Sequence, residues 1–137
     1  MKKVLFEIIA LATLSTSVFA ATLGPSSCPL VADIKSSMTS VNKAYYLTER
    51  KSYMVAQVSN YNTPHIWGFG IIDIDASTEA EAVSKAKEAM PTLAGTPRPM
   101  YVPTQGVWAC LYSIGNGYRA IAANGAVDAN SIAHIRL

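Results

Sequence analysis

The chain has 137 residues, half of them hydrophobic and 15% charged, with a formal net charge of +2 and two cysteines. That length suits one domain. The near balance of charge excludes an acidic disordered tail and a phosphate-dominated nucleic-acid binder, and so few cysteines exclude a cysteine-rich miniprotein.

The first twenty residues read as a secretory signal peptide. Met1-Lys2-Lys3 gives a positive start, a mostly apolar run extends from Val4 to Leu14, and Val18-Phe19-Ala20 puts small or tolerated residues where a signal peptidase reads its site. Glu7 interrupts the run, and spanning a bilayer takes roughly twenty apolar residues, so a permanent anchor is disfavoured. Gly24-Pro25-Ser26-Ser27 before Cys28 is no lipid-attachment sequence. The expectation is therefore export to the periplasm or beyond, with a single domain over residues 21–137 at net +1, because Lys2, Lys3 and Glu7 leave with the leader. An oxidising compartment then favours a structural bridge between Cys28 and Cys110, which have neither partner thiols nor a CxxC spacing for redox or zinc chemistry.

In chain order, Ala21–Ser27 is a loose leader. Pro29 suits a first helical position, and Leu30, Val31, Ile34, Met38 and Val41 recur at helical spacing. Tyr45-Tyr46-Leu47 and Tyr53–Val58 read as strands separated by a polar turn at Thr48–Ser52. After the break at Asn60–Pro64, residues from His65 to Ile74 form a strand that is apolar on both faces. Thr78 and Glu81 make a capping box, Ala82, Val83, Ala86, Ala89 and Met90 give that helix an apolar stripe, and Pro91 ends it. Thr96–Gly106 carries Pro97, Pro99 and Pro103 and reads as a stiff extended connection. Val107–Ser113 and Tyr118–Ala123 are strands of a hairpin turned at Gly115-Asn116-Gly117. Ile132–Leu137 is strand or helix. No internal repeat is apparent. The predicted fold is α+β: an antiparallel sheet of four to five strands, two helices packed on one face, and one disulfide.

Strand alternation from His65 to Asp73 places His65, Trp67, Phe69, Ile71 and Asp73 on one face, with Ile66, Gly68, Gly70, Ile72 and Ile74 on the other. A histidine beside two aromatic planes is what a flat iron porphyrin uses, so His65, Trp67 and Phe69 are candidate haem-binding residues. The competing reading makes both rings core, His65 the strand's edge, and the glycines a surface for the Ala-rich helix. His134 is the other histidine, and its spacing from His65 implies no shared ligand. Tyr101 is the tyrosine expected to be exposed, with Arg98 as a charge beside it for a partner or a carboxylate. Asp73-x-Asp75-x-Ser77 lacks the glycine and distal glutamate of a calcium loop, and no metal site is expected. Nucleophile, zinc-protease and phosphate-loop motifs are missing, so no catalytic residues are assigned.

The signal peptide, Cys28-Pro29, Trp67-Gly68-Phe69-Gly70, the capped Ala-rich helix and Cys110-Leu111-Tyr112 with Gly117-Tyr118-Arg119-Ala120 together resemble small exported bacterial proteins described as hemin-binding or of unknown function. The resemblance implies a non-enzymatic exported protein of Gram-negative bacteria, with haem as its suggested ligand, and assigns no site residue. The expectation is a binding protein whose best specific ligand is haem. The alternative is a protein-interaction or inhibitor module acting in the envelope or on a host protein. Neither nucleic-acid binding nor stable membrane insertion after signal cleavage is expected.

Overall fold

The computed structural model describes residues 24–125 together with Ile132. The proposed signal peptide, His134 and most of the Ile132–Leu137 element lie outside these residues. The described elements are α1 (Val31–Met38), β1 (Ala44–Leu47), β2 (Ser52–Ser59), β3 (Trp67–Ile74), α2 (Glu79–Ala89), a 3-10 turn (Met90–Thr92), β4 (Met100–Val102), β5 (Val107–Tyr112) and β6 (Arg119–Asn124).

All six strands join one antiparallel sheet in the order β1-β2-β3-β6-β5-β4. Two three-stranded meanders, each preceded by a helix, thus meet along β3 and β6. The repetition is topological and leaves no trace in the residues. The α+β class stands, but six strands replace the expected four to five. The added one is β4, inside the proline-rich connection. Pro99 and Pro103 flank its three residues and do not occupy them, so Met100, Tyr101 and Val102 keep the backbone groups that pair with β5.

Both helices contribute to one side of the sheet. Ile34 and Met38 of α1 and Ala82 and Ala86 of α2 are buried with Val55, Phe69, Ile71, Cys110 and Ala122. α1 begins two residues later than Pro29 suggests. Leu30 is extended (φ −73°, ψ 144°) and its carbonyl accepts from the Asp33 and Ile34 amides. Val41 lies beyond the helix yet enters the same core. The entry to α2 follows the capping-box expectation: Thr78 Oγ1 accepts from the Glu81 amide at 3.1 Å, and the Glu81 carboxylate reaches back to the Ser77 amide at 3.2 Å. Glu81 also pairs with Lys85 at 3.1 Å. The amide and lysine hold the Glu81 carboxyl below its ordinary range.

Cys28 and Cys110 are bridged, 82 residues apart, and tie the start of α1 to the middle of β5. Tyr112 Oη donates to the Pro29 carbonyl at 2.6 Å beside that staple. On the chain-entropy account, closing a loop of this length contributes about 4–5 kcal/mol. The β5–β6 turn places Asn116 and Gly117 at φ 63° and 71°, the pair of positive values that a tight hairpin demands.

The opposite side of the sheet has its own core of Met54, Ile72, Val102, Val107, Ala109, Ile121, Ala123 and Ile132. Gly70 belongs here. A Cβ on it would stand 3.0 Å from Ile132 Cγ2 and 3.3 Å from Met54 Sδ. The glycines therefore do not make room for the Ala-rich helix, because alternation turns Gly70 away from α2. The alternation itself breaks at the end of β3. Two steps on β2, Tyr53 to Val55, face three steps on β3, Ile71 to Ile74, and Asp73 takes φ 70°. This bulge returns Ile74 to the helix-side core and moves Asp73 off the Trp67–Ile71 face on which simple alternation places it.

Candidate functional site

Three places in the fold bear on function: the start of β3, the β4 margin, and the bulge. At the first, β3 begins at Trp67, so His65 is outside the strand and exposed. Trp67 and Phe69 are completely buried. Trp67 Nε1 donates to Thr63 Oγ1 at 3.1 Å, and that hydroxyl in turn donates to the His65 carbonyl at 3.0 Å. Phe69 lies edge-on between Tyr61 and Tyr112, with centroids 6.5 and 6.1 Å away. Tyr61 donates its phenol to the Gln57 carbonyl at 2.9 Å. Burial raises the Tyr61 pKa well above the ordinary phenol value, helped by the Tyr112 phenol, and burial raises that of Tyr112. The aromatic walls expected to receive a planar ligand are thus buried in the core, with His65 outside.

The β4 margin places Tyr101 where it was expected. It is half exposed, at 52%, and stands directly opposite Trp108 across the β4–β5 ladder. Their ring centroids are 5.2 Å apart at a tilt of 51°. Gly24 of the leader lies so close to Trp108 that a Cβ would overlap the indole. Arg98 is exposed two residues before β4 and makes no ion pair with a described residue. Met100 is exposed as well, and strand alternation puts it on the face opposite Tyr101, so this margin presents an aromatic on one side and a thioether on the other, with the Arg98 cation preceding both. The structure therefore separates the five candidate ligand-binding residues into three places: Trp67 and Phe69 inside, Tyr101 and Arg98 on the β4 margin, and His65 exposed just before the start of β3.

At the bulge, the Asp73 carboxylate joins two arginines from different segments. Its Oδ1 accepts from Arg50 Nε at 2.9 Å and lies 2.8 Å from Nη2 of the same ion pair, and its Oδ2 accepts from Arg119 Nε at 2.9 Å. Arg50 comes from the β1–β2 turn and Arg119 opens β6. These residues lie 23 and 46 positions from Asp73, and only sheet order and the bulge bring them together. No motif joins them in the chain. The visible signal is two arginines at the ends of predicted strands, too common to single out.

Among the described residues no group of three metal-ligating side chains converges, and no helix is long and apolar enough to cross a membrane. No family model, curated protein or solved structure matches the chain.

Proposed function

We propose that the protein is an exported, non-enzymatic binding protein that engages a protein partner on the β4 margin. The observation that carries this reading is Tyr101: half exposed, yet held in a fixed tilt against Trp108 on a disulfide-stapled sheet. A rigid, amphipathic ring costs little conformational entropy to dock, which is why tyrosine and tryptophan concentrate in contact surfaces. Arg98 gives the margin a cation for a partner carboxylate. Pro99 and Pro103 lack the N–H groups that a long added strand would need, so recognition here runs through side chains. The disulfide supports export, because such bridges persist in oxidising compartments.

A haem site at the start of β3 has less support. The porphyrin would have to enter between Trp67 and Phe69, whose faces are already filled by the core.

The test compares two equally exposed tyrosines on opposite edges, Tyr101 on β4 and Tyr46 on β1, both at 52%. A photo-crosslinking phenylalanine analogue placed at 101 in the producing cell should give one discrete protein adduct that Arg98→Glu abolishes. The same group at 46 should give none. Equal adducts from both positions, no adduct from 101, or adducts indifferent to Arg98→Glu would each defeat the reading.

A further inference from the structure

We propose that Arg50 and Arg119, held apart by Asp73, form a binding site for an oxyanion, a carboxylate or a phosphate group on a small ligand. The site is separate from the β4 margin and rests on different residues.

The first ground is geometric. Asp73 engages each guanidinium through its Nε edge, with Arg50 adding one Nη. That leaves both Nη groups of Arg119, and one of Arg50, with no described partner. Arg119 is 56% exposed at its side chain, so its free fork faces solvent. Planar guanidinium forks bind carboxylate and phosphate oxygens in pairs. Here the loss of side-chain freedom that such binding normally entails has already occurred, because the carboxylate orders both arginines.

The second ground is the backbone. Asp73 sits at φ 70°, a left-handed conformation that glycine adopts without cost and that aspartate tolerates better than most residues but still at some cost. Partly exposed ion pairs typically stabilise a protein by about 0–1 kcal/mol, which is poor compensation for such a backbone. An aspartate here is better explained by what its carboxylate positions. The bulge serves the same end, since an extra residue re-aims a side chain at the margin of a sheet.

The third ground is Ser52. Its hydroxyl is buried and has no hydrogen-bond partner. A buried hydroxyl without a partner calls for an explanation, and an acceptor that binds beside it is one. Ser52 opens β2 two residues after Arg50, and strand alternation puts it on the same sheet face as Arg119. Its neighbour Tyr53 pairs with Ile74, the residue that closes the bulge. The trio of Arg50, Asp73 and Arg119 carries a net positive charge, and Lys51 adjoins it.

The experiment is an NMR titration of the arginine Nε–Hε resonances at constant ionic strength, with inorganic phosphate in one arm and acetate in the other. Saturable shifts at Arg119 and Arg50 are expected in at least one arm, and the responding arm identifies the head group. Arg119→Gln, an exposed change, should weaken the affinity at least tenfold, while Lys87→Gln on α2 should leave it unchanged. Asp73→Asn should also weaken binding, because the forks lose their orientation. Non-saturating shifts spread over all cationic side chains in both arms would overturn the site. So would tighter binding by Asp73→Asn, which would mean that the carboxylate merely fills the place of an anion. Thermal melts of each variant establish that it is folded.

Discussion

β3 buries Trp67 completely at its first position, and near its far end it carries Asp73 out between two arginines, one from the β1–β2 turn and one from β6. The first half obeys strict alternation: Trp67, Phe69 and Ile71 face the helices, and Gly68 and Gly70 face away. The second half breaks it by one residue. Aromatic residues that look like a binding motif in the chain are consumed by packing, whereas the charged residues that the bulge assembles are invisible in the chain. Apolar periodicity reports where the core is, and departures from it report where side chains are released for other work.

That contrast can be broken or sharpened by substitutions at the two ends. Phe69→Ala should cost about 3–5 kcal/mol in chemical denaturation, as expected for emptying a fully buried aromatic site. A loss below about 1 kcal/mol would mean that the ring lines an open cleft. Gly70→Ala should cost about 1–3 kcal/mol, because the added methyl meets Ile132 and Met54 on the far face.

Alkaline pH probes the same end. Tyr61 and Tyr112 flank Phe69 with pKa values raised above the unfolded value near 10. Ionisation therefore favours the unfolded chain. Their contribution is intact below about pH 10 and falls as pH climbs from there, by at most about 1.4 kcal/mol per pH unit for each phenol. Melting curves between pH 8 and 12 should show this decline, and Tyr61→Phe should make it shallower.

At the other end the effects are smaller. Asp73→Ala should cost about 1 kcal/mol, because two partly exposed ion pairs vanish while a Cβ stays in the left-handed region. Asp73→Gly should lie closer to the wild type, since glycine restores the backbone freedom. Equal losses for the two would show that backbone conformation plays no part. Stability should thus depend steeply on the buried end of β3 and weakly on the bulge.

Much of the fold is legible in the chain. The capping box at Thr78 and Glu81 and the Asn116-Gly117 turn are local signals, and their local geometry is realised. The cysteine pair is likewise bridged. β4 is harder to read because three prolines dominate its segment, although they flank the three pairing residues and leave them free. The face of Gly70 follows from alternation, but what covers it is Ile132, sixty-two positions away, so no window around Gly70 contains that neighbour. Of the candidate residues, Tyr101 owes its exposure to its place on a short edge strand, and the proline-rich segment around it signals an exposed connection but not the strand itself. Asp73 owes its partners to a one-residue register shift, and hydrophobic pattern alone does not encode it.

The start of β3 is packed core, which leaves the margins of the sheet as the proposed places of binding. Hemin titration of the wild type and of His65→Ala, followed at the Soret band with micromolar protein, tests this most directly. The account predicts no saturable shift that depends on His65. A saturable shift in the wild type that disappears in His65→Ala, with the fold retained, would contradict it.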